Sequence, residues 1–269
     1  MPPRSHHGFL DRLALAAGRT ASGLGPWAAM IRSLALALAA CAVSPAIARA
    51  EPLAAESPRI PEPMVFDMVR SMGARRGELE ANVLALSPLS GQERAIEWAP
   101  EIEYAVTDGF ALEFELPFEG KRLAELKMGA QATFGTLDQG RIVHGVQFLG
   151  IYERESKRAS QALLYMLGRR HNERLSTMTM VGVGDVRLGQ SESDAGLLVN
   201  HSTFYDLGKD RVAGLEVNYK SNRDGGVALI PQFHAPLADK VNVQFGAGVD
   251  RQRREPARPV GGIRLIKEF

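Results

Sequence analysis

Three features of this sequence predict an all-β fold, a closed antiparallel transmembrane β-barrel of about twelve strands. Short segments alternate apolar and polar residues, turn residues separate them, and the last segment, Val260 to Phe269, ends on an aromatic residue. Successive side chains of a strand point to opposite faces, so segments of about ten residues with this period can show one face to hydrocarbon and one to a polar interior. Beyond residue 50 no apolar stretch approaches the roughly 20 residues of a membrane-spanning helix. A membrane chain without such a stretch must satisfy its backbone between strands, in a closed barrel. The fallback is ten strands with a helical insert.

The elements follow in chain order. Residues 1–29 are expected to be an upstream mis-start or an extended n-region. From Met30 a basic start, an apolar run from Leu34 to Val43 and the small-residue site Ala48-Arg49-Ala50 have the form of a secretory signal peptide, residues 30–50, cleaved before Glu51. The only cysteine, Cys41, lies in Leu38-Ala39-Ala40-Cys41, which also fits a lipidation box. With cleavage after Ala50 the mature chain has no cysteine, which excludes disulfides, thiolate metal sites and thiol catalysis. Residues 51–76 form a Pro-rich lead-in, then an amphipathic stretch around Met64 to Met72. It is read either as a tail or as one helical turn tucked into the barrel mouth.

Residues 77–269 make the barrel. The clearest hairpin is Ile102 to Pro117, where Thr107-Asp108-Gly109 joins two period-two runs. In it Ile102, Tyr104, Phe114 and Leu116 alternate with Glu103, Glu113 and Glu115. The same dyad returns at Ala213 to Tyr219, Val227 to His234 and Val241 to Val249. Glu153 to Arg174 and Arg122 to Ala130 have helix-favouring composition, but a helix at either place would break the even count, so both are read as strands. Long connections at Gly184 to Asp194 and Asp250 to Pro259 fall on one end, and the tight turns at Asp108 and Asp239 on the other.

The formal charge of +1 and pI near 7.9 indicate no polyanionic partner, nucleic acid included. Function must therefore be read from the inward faces. An acidic set, Glu97, Glu101, Glu103, Glu113, Glu115 and Glu125, is expected to line the lumen. It would form either a cation-attracting passage or a salt-bridged interior paired with Lys127, Lys220 and Arg264. The histidines are scattered, so no metal site or cofactor is expected. Met178 and Met180 share a strand face, read as lipid-facing.

The segments EIEYAVTDGFALEFELPF and LIPQFHAPLADKVNVQFGAGVD with GGIRLIKEF resemble proteobacterial outer-membrane barrels of the transporter type, some associated with phenol-degradation operons. The resemblance implies the outer membrane of a Gram-negative bacterium, with Phe269 as the assembly signal read by the barrel assembly machinery. Arg251, Arg253, Arg254 and Arg258 would then face lipopolysaccharide, whose phosphates suit guanidinium groups. It brings no site motif, and Lys267 departs from the apolar residue usual at its position. The expected role is passive transport or binding of a small solute, without an enzymatic step. One alternative is a structural or lipid-interacting barrel with a filled lumen. The other is a barrel-embedded lipid hydrolase, for which His201 and Thr203 have the strand spacing while Ser202 points to the opposite face.

Overall fold

The computed structural model describes residues 57–91, 95–187, 194–223 and 225–269, and among these it contains strands and no helix. The signal-peptide residues, with Ala48, Ala50 and Cys41, lie outside the described part. Twelve strands run antiparallel: β1 (Leu79–Pro88), β2 (Glu97–Thr107), β3 (Phe110–Glu115), β6 (Glu125–Leu137), β7 (Ile142–Glu153), β8 (Arg158–Arg170), β9 (Leu175–Val186), β10 (Gly196–Gly208), β11 (Arg211–Lys220), β12 (Gly226–Ala238), β13 (Val241–Gln252) and β14 (Arg258–Glu268). Glu80 of β1 lies opposite Glu103 of β2 on one side and Glu268 of β14 on the other, which closes the sheet on itself. A small hairpin, β4 (Phe118–Glu119) and β5 (Arg122–Leu123), leans on β2, where Trp98 stacks on Phe118 at 4.3 Å.

Both ambiguous sections are strands. Glu153 to Arg174 forms β8 and its flanking turns, and Arg122 to Ala130 is divided at Ala124 between β5 and β6. In β8, Leu163 and Tyr165 are exposed outward, while Ala162, Leu164 and Met166 are buried inward. Tertiary packing therefore overrides helix propensity there.

The outer wall carries the large exposed apolar side chains, among them Ile102, Phe114, Val183, Leu215, Leu229, Phe245 and Ile263. Tyr104, Tyr165 and Tyr205 stand toward the Phe269 end of this face and Tyr219 toward the other. Connections at the Phe269 end are tight: Asp108-Gly109, Lys209-Asp210 and Asp239-Lys240. Lys209 and Asp210 both have left-handed φ, 56° and 57°, which matches the twist of a two-residue hairpin. The opposite end carries the longer connections, including 89–96, 187–195 and 253–257.

The described part of the lead-in, residues 57–76, does not trail away from the barrel and contains no helical turn. It enters at the Phe269 end, where Arg170 donates to the Arg59 carbonyl, and rises to the middle of β11 at Met64 to Phe66. It then descends past Thr133, whose hydroxyl accepts the Gly73 N–H at 3.1 Å. Finally Gly109 donates to the Ala74 carbonyl as the chain enters β1. Residues 59–77 are thus a re-entrant plug. Irregular backbone at membrane depth is tolerated only where protein or a wet cavity surrounds it, and here the barrel wall supplies its partners.

Candidate functional site: the plugged lumen

The wall is divided, and the plug is divided to match. On β7 to β10 the inward residues include Leu149, Leu164, Met166, Met178, Met180 and Phe204, all buried, and they pack against Ile60, Phe66, Met68, Val69 and Met72 of the plug. The expectation that Met178 and Met180 face lipid is therefore overturned. Both are fully buried in the lumen, because this wall meets the apolar side of the plug and not water. Two inward glycines make room. A Cβ at Gly129 would meet Val69 Cγ2 at 2.4 Å, and one at Gly168 would meet Ile60 Cγ1 at 2.9 Å.

On the other side the wall is charged. Glu101, Glu103, Glu113 and Glu115 point inward from β2 and β3, and Glu80, Lys127 and Arg264 join them from β1, β6 and β14. Arg70 of the plug pairs with Glu80 at 2.9 Å and Glu103 at 3.4 Å. Arg264 pairs with Glu101, Glu103 and Glu62, and its Nε donates to Asn82 at 3.1 Å. Lys127 bridges Asp67 and Glu115, each at 2.9 Å. The remaining residues of the expected sets lie nearer the long loops. Glu97 and Glu125 are buried there with partners of their own. Lys220 pairs at 2.6 Å with Asp185.

Backbone groups of the plug are met by side chains of the wall. The Glu216 carboxylate accepts the N–H groups of Met64, Val65 and Phe66 at 2.9, 3.1 and 2.7 Å. Asn218 and Gln232 donate to the same carboxylate. Gln147 accepts from Val69 N–H and donates to the Asp67 carbonyl, both at 2.9 Å, and Gln131 does the same for Arg70. Sequence reading missed these groups. Their signal was present as polar residues at inward positions of the dyad, but nothing in the dyad says whether such a residue faces water or a peptide.

Beyond the plug lies a small recess of about 30 Å³, enough for a water molecule. Met64 to Met68 form its floor, and Leu84, Glu101, Glu115, Lys127 and Arg264 its walls.

The other residues singled out by sequence do not converge on it. His201 is exposed on the outer wall, within hydrogen-bond distance of Thr179 at 2.9 Å and Thr203 at 3.5 Å, while Ser202 is buried on the inner face. Arg251, Arg253 and Arg254 are exposed at the long-loop end, where Arg258 pairs with Glu255 at 3.0 Å. Phe269 is exposed, and its N–H donates to the Leu79 carbonyl at 3.0 Å across the β1–β14 seam.

A twelve-strand barrel with an apolar exterior and a charged, plugged interior defines a closed antiparallel transmembrane β-barrel. The chain belongs to the HAEPLYID-like family, whose sequence model matches residues 59–268, the plug and the barrel together. No curated protein matches the sequence. Among solved structures the fold is similar to the COG4313 outer membrane channel from Pseudomonas putida F1, with a TM-score of 0.57 and 13% identity over 78% of this chain and all of that one. It is also similar to the KdgM porin, with a TM-score of 0.56 and 11% identity over 71% of this chain and 99% of that one. The NanC porin gives a TM-score of 0.58 and 10% identity over 70% of this chain and its own full length.

Proposed function

We propose that this protein is an outer-membrane channel that passes or binds a small solute passively, with residues 59–77 restricting the lumen and the charged wall above them meeting the solute. The observation that carries this reading is the charged wall over the plug. Two carboxylates, Glu101 and Glu115, and two cations, Lys127 and Arg264, stand there, in a barrel whose exterior is greasy enough for lipid. Opposed charges at one site suit a polar solute better than an apolar one, because each buried polar group must find a partner. The fold's likeness to outer-membrane channels supports the same reading.

The orientation follows from strand connections. Short turns at the Phe269 end would face the periplasm and the longer loops the exterior, as in other barrels of this kind. Phe269 would then sit where assembly machinery can reach it, and the arginines at 251, 253, 254 and 258 would lie at the level of lipopolysaccharide phosphates.

Fractionation and planar-bilayer recording test the proposal. Recovery with outer membranes, heat-modifiable migration on gels and discrete channel events support it. Recovery in the soluble periplasm, or a folded barrel that never conducts, overturns it.

A further inference from the structure

One acidic group of the lumen is left unsatisfied by the pairs described above. Glu113 stands two residues before Glu115 on β3, so both side chains share the inward face. Across the ladder Glu115 meets Lys127, but Glu113 meets Gly129, which has no side chain to offer. Val69 of the plug fills the space over that glycine and brings no charge. Glu113 is only 4% exposed, and neither of its carboxylate oxygens has a hydrogen-bond partner. A buried carboxylate in that state is costly, and protonating it would leave a hydroxyl without an acceptor.

The unpartnered carboxylate points at two others. One oxygen each from Asp67, Glu113 and Glu115 lie within 4.8 Å of one another. A Ca²⁺ ion sits about 2.4 Å from its oxygen ligands, so ligands on opposite sides of it stand at about this separation. Lys127 binds one oxygen of Asp67 and one of Glu115, and each of those carboxylates has a second. Three carboxylates against one ammonium leave an excess of two negative charges, which a dication would cancel. The donor set is all oxygen, which favours Ca²⁺, Mg²⁺ or Mn²⁺ over metals that seek imidazole or thiolate.

We propose that Asp67, Glu113 and Glu115 form a binding site for a hard divalent cation, and that the ion ties the plug to β3. Asp67 comes from the plug and the two glutamates from the wall, so one ion would span both. The site depends on the seat of the plug and not on any solute passing through the barrel.

The test is calorimetric titration of Ca²⁺, Mg²⁺ and Mn²⁺ into protein refolded in detergent free of lipopolysaccharide and stripped with chelator. Wild type is expected to bind one equivalent of at least one of these ions. Glu113→Gln and Asp67→Asn should each weaken that binding at least about tenfold, with Glu255→Gln as an unaffected control. Heat-modifiable migration verifies that each barrel is folded, and Asp67 lies outside the wall, so its variant keeps the test open if Glu113→Gln does not fold. No binding by wild type at millimolar ion overturns the site, a result expected if a buried water satisfies Glu113. Undiminished binding in Glu113→Gln also overturns it. Full binding in Asp67→Asn overturns it as well, because the plug would then supply no ligand.

Discussion

The Glu216 carboxylate accepts the Phe66 N–H at 2.7 Å, a bond between residues 150 positions apart. Met64 and Val65 donate to the same group, so one side chain of β11 holds the apex of the plug. Glu216→Ala should strand three buried N–H donors at about 1–3 kcal/mol each. The barrel wall loses no ladder bond, so the loss falls on the plug. Limited proteolysis of the folded variant should cut residues 59–76 at least tenfold faster than in wild type. An unchanged rate would mean that the plug is held by its apolar face alone.

Gly129 and Val69 make a second, steric prediction. A Cβ at position 129 would lie 2.4 Å from Val69 Cγ2, so Gly129→Leu cannot coexist with the seated plug. The variant should still form a heat-modifiable barrel and should conduct more than wild type in planar bilayers. Unaltered conductance would place Val69 elsewhere.

Arg264 touches Glu62, Glu101 and Glu103, with only 5% of its side chain exposed. Removing one member of a buried ion pair leaves uncompensated charge and costs about 3–5 kcal/mol. Arg264→Met should lower the urea midpoint of unfolding accordingly, whereas Arg253→Met in the exposed loop should stay within about 0.5 kcal/mol of wild type.

His201 lies on the outer wall and Ser202 inside it. Refolded protein should release no fatty acid from phospholipid vesicles, and His201→Ala should change neither that result nor the unfolding midpoint beyond about 0.5 kcal/mol. Release by wild type that is abolished by the substitution would revive the hydrolase reading.

The barrel was legible because its outer face obeys one rule: from Ile102 to Phe114 and from Val241 to Val249 every apolar side chain larger than alanine looks outward. Legibility failed where the inner face is apolar. In β8 inward Leu164 and Met166 face opposite to outward Leu163 and Tyr165, so the alternation disappears. In β9 it is inverted, with Met178 and Met180 inward and Thr177 and Thr179 outward, so the sequence alone points the methionines at lipid. The cause is the plug, whose apolar side demands an apolar wall. The glutamates of β2 and β3 were found because carboxylates cannot face hydrocarbon. Glu216 lies on the polar face of the same dyad, and no local pattern tells a carboxylate that meets solvent from one that meets three peptide N–H groups supplied 150 residues away.

Single-channel recording of the full chain against a variant lacking residues 57–76 tests the central claim most directly. A folded barrel whose conductance rises several-fold when the segment is removed is the expected result. Equal conductance in two folded barrels would contradict a plug seated in the lumen.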